Sequence, residues 1–329
     1  MANLADIQKL RKLTGAGMMD CKKALEEAND NIDAAVEIVR AKGQAIAAKR
    51  SDRDASEGCV LCKAGNGFGA MIALKCETDF VATNADFVKL TQEILDVAFE
   101  AKAKTLDEVK ALKLGDRTVA DAVTERSGIT GEKMELDGYN TIEGVDITCY
   151  NHQNKNMLCT MVALNEVVAP EVGKQIAMQI AAMNPISIDE AGVPEDVKEN
   201  EMKVAIEKTK EEQVEKAVQN ALKKAGFNLY IAESEEHIAE GIAKGNITEA
   251  QADEIRKIKQ ETAEQKLANM PEQMIQNIAG GRMNKFYKES CLLNQEYCMD
   301  ATKTVSQILK DASPSLTVTA FKRFTLRAD

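Results

Sequence analysis

Cysteine is the first residue type in this sequence that could carry out chemistry. The chain has 329 residues and 8 cysteines, and Cys59 and Cys62 form the motif CVLC. This spacing is typical of a redox pair or of half a zinc site. The segment alternates like a β-strand, however, and residues three apart on a strand point to opposite faces. No second CxxC motif or histidine pair occurs to complete a zinc site. The sequence therefore favours reduced thiols and predicts no metal site.

The sequence offers few candidate residues for other kinds of catalytic site. The chain contains only 2 histidines, His152 and His237, and His237 lies in a charged helical segment where a surface position is expected. Motifs typical of phosphate-binding loops, dinucleotide sites, serine hydrolases and zinc proteases do not occur. The sequence points away from an enzyme and towards a binding protein that needs no cofactor. A thiol enzyme that uses Cys59 and Cys62 stays an alternative.

The segment TDFVA at residues 78–82 places an aromatic residue beside an acid between a predicted strand and a predicted helix. Short connections of this kind lie on the surface, and the chain has only 8 Phe and no Trp. Two interpretations are open. Phe80 could pack the loop against the helix while Asp79 acts as a local cap, or both side chains could contact a partner. The residues alone favour the first interpretation, because a buried Phe is common.

Charge and hydropathy limit the possible partners. The formal net charge is −11, so the chain as a whole should be repelled by nucleic acid and by anionic membranes. No apolar stretch is long enough for a transmembrane helix. The first residues, MANLADIQKLRKL, have helical periodicity and no apolar signal core. We therefore expect a cytoplasmic protein with no direct contact to nucleic acid or membrane.

The order of the predicted elements indicates an α+β chain with a helical insertion. Asn3 and Asn31 can cap helices near the start, and Gly43 is expected to end the third helix. The pair Asn66-Gly67 predicts a β-hairpin. The predicted domains are a three-helix module (1–50), a linker (51–57), a first core subdomain (58–140), the first part of a second core subdomain (141–194), a coiled-coil-like helical hairpin (195–268) and the completion of the second core subdomain (269–329).

The two core subdomains are predicted to repeat one plan of hairpin, loop and helix. A shift of 87 positions brings TDFVA (78–82) onto NEVVA (165–169). An acid occurs in both loops, whereas Val167 stands opposite Phe80. If Phe80 only filled the core of the repeat, a similar bulk would be expected twice. The comparison suggests a separate role for this aromatic residue.

Three blocks of sequence resemble the bacterial elongation factor Ts family. They are LRKLTGAGMMDCKKALEEANDNIDAAVEIVRAKG (10–43), CETDFVATNADF (76–87) and GRMNKFYKESCLLNQEYCMDATKTVSQIL (281–309). They occur in the order that the family has, which makes the resemblance specific. The helical region 205–265 is longer than expected for the family, so no function is assigned to it.

The resemblance implies a guanine nucleotide exchange factor for elongation factor Tu, a translational GTPase. Such a factor makes and breaks no covalent bond. It binds the GDP-bound and the nucleotide-free GTPase, speeds GDP release and yields to GTP. By motif match, Phe80 is the aromatic wedge that the family inserts near the Mg²⁺ site of the GTPase, Asp79 joins this contact, and Thr78 and Val81 shape the loop. Complexes of one-to-one and two-to-two stoichiometry both stay open.

Further partner contacts are implied by the same resemblance. In the three-helix module they are Leu10, Arg11, Met18, Met19 and Lys22, and elsewhere they are Thr130, Gly131 and His152. The three-helix module also resembles ubiquitin-associated domains. An adaptor that binds without changing nucleotide release is therefore the alternative function.

Overall fold

The computed structural model describes residues 3–326, which form an α+β fold as the sequence predicts. The chain divides into two compact units. Residues up to 188, together with residues from 296 onwards, make the first unit, and residues 189–295 make the second. Within residues 3–326, no helix is both long and apolar enough to cross a membrane.

The chain begins with a small helical module whose caps are encoded locally. Its helices are α1 (Leu4–Thr14), α2 (Met18–Glu27) and α3 (Ile32–Lys49). The side chain of Asn3 accepts hydrogen bonds from the first backbone N–H groups of α1, and Asn31 does the same for α3. Both predicted caps are confirmed. The prediction that Gly43 ends α3 is wrong, because the helix continues to Lys49.

The next part of the chain forms an antiparallel sheet covered by helices. Its elements are β1 (Glu57–Gly65), β2 (Phe68–Cys76), α4 (Asp79–Ala82), α5 (Ala85–Glu100), α6 (Leu106–Ala111), β3 (Lys113–Leu114), β4 (Arg117–Thr118), α7 (Val119–Thr130) and β5 (Met134–Glu143). The predicted hairpin is confirmed, since Asn66 and Gly67 both have positive φ between β1 and β2. The strand order is β1-β2-β5, and α5 packs against this sheet through its buried face.

A second antiparallel sheet contains the segment that the sequence identified as a repeat. It begins with β6 (Asp146–Asn151) and β7 (Leu158–Leu164), followed by α8 (Pro170–Met183). The hydroxyl of Thr160 on β7 donates to the carbonyl of Ala177 on α8 at 2.8 Å, which holds the helix on one face of the sheet. The opposite face packs against the first sheet through Val60, Met71 and Met161.

The second compact unit is helical. Its helices are α9 (Glu195–Lys224), α10 (Leu229–Ala232), α11 (Glu235–Ala243), α12 (Glu249–Ala268) and α13 (Glu272–Ser290). Leu222, Ile238 and Ile255 form its apolar centre. The unit extends past the predicted boundary at 268, because α13 also packs on α9. His237 keeps a partly exposed side chain, and its ring stacks on Tyr230 with 4.3 Å between ring centroids.

The last part of the chain returns to the first unit. It comprises β8 (Glu296–Tyr297), β9 (Asp300–Thr304), α14 (Val305–Ala312) and β10 (Val318–Thr325). Strand β10 pairs antiparallel with β7, which gives the second sheet the order β10-β7-β6. Residues far apart in sequence thus complete one sheet.

Helix α3 crosses α7 at a close approach of backbones. A Cβ atom built on Gly128 of α7 would lie 2.2 Å from the Cα atom of Gly43, whereas a Cβ atom on Gly43 would meet nothing nearer than 3.5 Å. Arg40 of α3 also reaches Glu125 of α7 at 2.9 Å. Gly43 lies inside this contact and does not have the positive φ of a glycine that ends a helix, so α3 continues past it.

The crossing predicts different outcomes for two glycine substitutions. Gly128→Ala should destabilise the protein by about 1–3 kcal/mol, because the added methyl group overpacks a backbone contact. Gly43→Ala is the matched control, and it should be neutral or stabilise by up to about 1 kcal/mol through its helix propensity. Urea unfolding of both variants would measure the difference. Equal stability of the two variants would contradict the proposed close approach.

Candidate functional site

The segment 78–82, here called the Phe80 turn, is a single helical turn between β2 and α5. Thr78 is its N-cap, and the Thr78 hydroxyl accepts a hydrogen bond from the N–H of Val81 at 3.4 Å. At the other end, the hydroxyl of Thr83 donates to the carbonyl of Asp79 at 2.9 Å. Both ends of a turn too short to be stable alone are therefore closed by side chains.

A carboxylate from the end of α7 fixes the entry to the Phe80 turn. Glu132 accepts hydrogen bonds from the N–H groups of Glu77 at 3.2 Å and Thr78 at 3.1 Å. The same carboxylate accepts from the Thr78 hydroxyl at 2.6 Å. Hydrogen bonds to a charged acceptor are stronger than neutral ones, so Glu132 orients the backbone that leads to Phe80.

Glu77 makes the reciprocal contact. Its carboxylate accepts from the N–H of Lys133 at 2.6 Å and from the guanidinium of Arg50 at 2.9 and 3.0 Å. The backbone hydrogen bond from Lys133, followed by the contact with Arg50, lowers the pKa of Glu77. We call Glu77 and Glu132 together the carboxylate clamp, because each binds the backbone next to the other.

Phe80 projects from the clamped turn into solvent. Its side chain is 84% exposed, while Ala82 is buried and the partly buried Val81 packs against the core of the first sheet. The interpretation that Phe80 packs the loop against the helix is therefore wrong. Asp79 is also exposed, and among residues 3–326 its carboxylate makes no recorded hydrogen bond or ion pair.

In the loop of the second sheet that aligns with the Phe80 turn, the acidic side chain is hydrogen-bonded within the protein. Glu166 accepts hydrogen bonds from the hydroxyls of Ser313, at 3.1 Å to both carboxylate oxygens, and Ser315, at 3.0 Å. Val167, which aligns with Phe80, is 76% exposed. Both loops thus present an apolar side chain to solvent. The first loop combines the larger side chain with an acid that has no recorded side-chain partner in the described part of the chain.

The predicted contact residues of the helical module occupy unlike environments. Met18 and Met19 are exposed, as is Arg11, and Lys22 is half-exposed at 3.8 Å from Glu26. Leu10 is fully buried in the centre of the module. Its assignment as a partner contact is corrected, because a side chain with no exposed surface supports the fold and cannot meet a partner in this conformation.

Thr130 and Gly131 lie at the end of α7, immediately before Glu132 of the clamp. The hydroxyl of Thr130 donates to the carbonyl of Arg126 at 3.1 Å and accepts from the N–H of Glu132 at 3.3 Å. Gly131 ends the helix with φ of 73°, a conformation that favours glycine. Both residues are partly buried, and their position sets the direction of Glu132.

His152 begins a short 3₁₀ turn between β6 and β7. Its Nδ1 atom lies 3.2 Å from the hydroxyl of Tyr150, and the two rings meet edge-on. The side chain is partly buried. It is therefore oriented by a neighbour on its own hairpin and retains a partly accessible ring.

Sequence reasoning did not identify the carboxylate clamp. Glu132 and Thr78 are 54 positions apart, and Glu77 and Arg50 are 27 apart. One local signal existed, since Glu132 directly follows a glycine that can end a helix. Its partner could be found only once α7 and β2 were placed side by side. Within the described residues, no group of three or more His, Cys, Asp or Glu side chains could hold a metal ion.

Comparison with known proteins gives a consistent family. The family model described as "Elongation factor TS" matches residues 77–328 of this chain. Elongation factor Ts from Bacteroides fragilis and that from Phocaeicola vulgatus are each 63% identical over 326 residues, covering 99% of this chain and 99% of the relative. Elongation factor Ts from Porphyromonas gingivalis is 42% identical over 327 residues, covering 99% of this chain and 98% of the relative.

The clamp predicts a local effect of removing Glu132. In Glu132→Ala the N–H groups of Glu77 and Thr78 lose their acceptor, so they should exchange with solvent faster by about tenfold or more, equivalent to about 1.4 kcal/mol. Amide hydrogen exchange measured by NMR would test this. Glu135→Ala is the control, because Glu135 is exposed and its carboxylate pairs with the side chain of Lys133, at 3.3 Å, and with neither amide. Unchanged protection of both amides in Glu132→Ala would contradict the clamp.

Glu77 predicts a pH dependence of stability. Its pKa in the folded protein is lowered from an unfolded value of about 4.3. Its stabilising contribution should therefore be complete above the unfolded pKa and should be lost as pH falls through the lower folded pKa. Glu77→Gln should be destabilised at neutral pH, and the difference from wild type should shrink on acidification. Urea unfolding between neutral pH and about pH 3 would measure it. A difference that grows in acid would contradict this assignment.

Proposed function

Because the chain belongs to the elongation factor Ts family, we propose that it is the guanine nucleotide exchange factor of elongation factor Tu. In this proposal it acts in the cytoplasm during translation elongation. It binds both the GDP-loaded and the nucleotide-free GTPase, changes no covalent bond and requires no cofactor. It is therefore a binding protein and not an enzyme.

The observation that carries the proposal is the exposure of Phe80 on a clamped turn. The Phe80 side chain is 84% exposed. Burying it would contribute about 1.5–3 kcal/mol of stabilising free energy. A partner pocket can recover this free energy. The clamp fixes the backbone in advance, so less conformational entropy is lost when the partner binds. A rigid turn with an unburied aromatic tip is suited to act as a wedge.

The wedge would act on the nucleotide indirectly. Bound GDP depends on backbone N–H groups at a helix N-terminus, and its Mg²⁺ ion needs near-ideal octahedral geometry. Small displacements of the surrounding helices by Phe80 would weaken both interactions. Asp79 would enter the same contact with a carboxylate that has no recorded side-chain partner among residues 3–326, and Thr78 and Val81 would hold the turn in shape.

A second contact surface would be provided by the helical module. Exposed Met18 and Met19, together with Arg11 and Lys22, offer flexible apolar side chains beside cations. Methionine adapts easily to an apolar partner surface. In the same proposal, Thr130 and Gly131 act by directing the clamp, and His152 is a polar contact at the tip of the second hairpin.

The proposal includes the finer architecture. The module 1–50 would be a ubiquitin-associated-like GTPase-binding domain joined by the linker 51–57. The hairpin and helix of the first sheet would be repeated in the second sheet, and the coiled-coil-like helical unit 189–295 would be an insertion. The matching exposure of Phe80 and Val167 supports the repeat.

Release of a fluorescent GDP analogue from elongation factor Tu, with excess unlabelled GDP, would test the function. The wild-type protein should accelerate release strongly. Phe80→Ala should reduce the acceleration by about tenfold or more, because loss of a buried aromatic anchor typically costs 2 kcal/mol or more. Its unfolding temperature should be unchanged, since Phe80 contributes little to the core.

Val167→Ala is the matched control, because it shortens the exposed side chain at the equivalent position. It should retain nearly full exchange activity. Full activity of a folded Phe80→Ala protein would refute the wedge while leaving exchange by other contacts. If the wild-type protein binds the GTPase without accelerating release, the adaptor function would replace exchange.

A further inference from the structure

Cys62, Cys149 and Cys159 form a thiol cluster between the two main sheets. Cys62 lies on β1, Cys149 on β6 and Cys159 on β7, and all pack in one apolar layer. Cys59, the other half of the CVLC motif, is buried against α5 on the opposite face of the first sheet. The expected separation of the two motif cysteines is thereby confirmed, and each belongs to a different layer.

The sulfur of Cys62 faces the point where β6 and β7 pair. It lies 4.0 Å from the carbonyl oxygen of Tyr150 and 3.9 Å from that of Thr160, which are register partners. Cys149 and Cys159 directly adjoin these residues in sequence and pack in the same apolar layer as Cys62. Thiols from three strands therefore meet at one place.

Solvent reaches only part of this cluster. Cys62 and Cys149 are partly exposed and line an open cleft of about 690 Å³, which Pro170 and Lys174 at the start of α8 also line. Cys159 is fully buried, and its sulfur donates to the carbonyl of Val60 at 3.2 Å. A small oxidant can approach Cys62 and Cys149 through the cleft, whereas Cys159 is covered.

The surroundings favour a thiolate at Cys62. Hydrogen bonding from Cys149 lowers the pKa of Cys62, while burial opposes this effect. The pKa of Cys149 is raised, first by its bond to Cys62 and then by burial.

We propose that Cys62 and Cys149 are a reversible redox pair that hydroperoxides convert into a disulfide. The Cys62 thiolate attacks the terminal oxygen of the peroxide and the O–O bond breaks, which converts Cys62 into a sulfenic acid. The leaving hydroxide takes up a proton and departs as water, and an alkoxide would depart as an alcohol. The Cys149 sulfur then attacks the Cys62 sulfur, loses its proton and expels water. Two thiols and one hydrogen peroxide thus yield one disulfide and two water molecules, and an organic hydroperoxide yields one disulfide, one alcohol and one water. The product links β1 to β6, so it joins the two sheets covalently.

The proposal is independent of nucleotide exchange, and it concerns a regulatory modification of the reduced protein. Disulfides in reducing compartments are usually transient or redox-sensing, which fits a pair at an accessible cleft. A link between residues so distant in the chain should also restrict the unfolded state strongly and stabilise the fold.

The test uses the full-length protein with Cys298→Ser as background, because Cys298 is exposed and would react separately. After treatment with hydrogen peroxide, intact mass should fall by the mass of two hydrogen atoms, and peptide mapping should identify a Cys62–Cys149 link. Dithiothreitol should restore the original mass. The unfolding temperature should rise on oxidation and return on reduction.

Cys62→Ser and Cys149→Ser should each abolish the link, whereas Cys59→Ser and Cys159→Ser should retain it. Circular dichroism would confirm that each variant is folded, and under native conditions iodoacetamide should label Cys62 of the reduced wild type before Cys59 or Cys159. Persistence of reduced Cys62 under peroxide, a link to Cys159 instead, or preferential labelling of Cys59 would each overturn the proposal.

Discussion

The carboxylate clamp is the interaction on which the candidate site depends. Glu77 and Glu132 bring two negative charges to adjoining segments, and backbone N–H groups and the guanidinium of Arg50 satisfy them. Hydrogen bonds to charged groups contribute about 1.5–3 kcal/mol each. A contribution of this size is comparable with the 1.5–3 kcal/mol that an exposed Phe fails to provide, so the turn can hold Phe80 in solvent and remain ordered.

Helix α7 connects this clamp to the helical module. Its end leads into Glu132, its last turn touches α3 through Gly128, and Glu125 binds both Arg40 and Arg117. The exposed methionines of the module and the exposed Phe80 are consequently positioned by one rigid element. In the proposed function, two contact surfaces that meet one partner would gain from this arrangement, because fixing their separation in advance removes an entropic cost of binding.

The parts of the fold that the sequence predicted correctly are local ones. Asn3 and Asn31 act on residues within the next turn of helix, and Asn66-Gly67 determines a turn by its own backbone preference. The errors at Gly43 and Leu10 have a different origin, since helix continuation and burial there depend on packing against other helices. The orientation of Phe80 likewise follows from Glu132, more than fifty positions away, and no local pattern encodes it.

Thermodynamic linkage explains why a small rigid turn suits the proposed exchange. If the factor weakens GDP binding by some ratio, GDP weakens binding of the factor by the same ratio. In the proposed mechanism, a single aromatic tip would supply a moderate and reversible displacement, whereas a large, tight contact at the nucleotide site would block the return of nucleotide. Comparison with the loop of the second sheet supports the same choice. That loop has the smaller Val167, and its acid Glu166 is hydrogen-bonded to Ser313. Phe80 and Asp79 therefore combine a large apolar side chain with a carboxylate that is available to a partner.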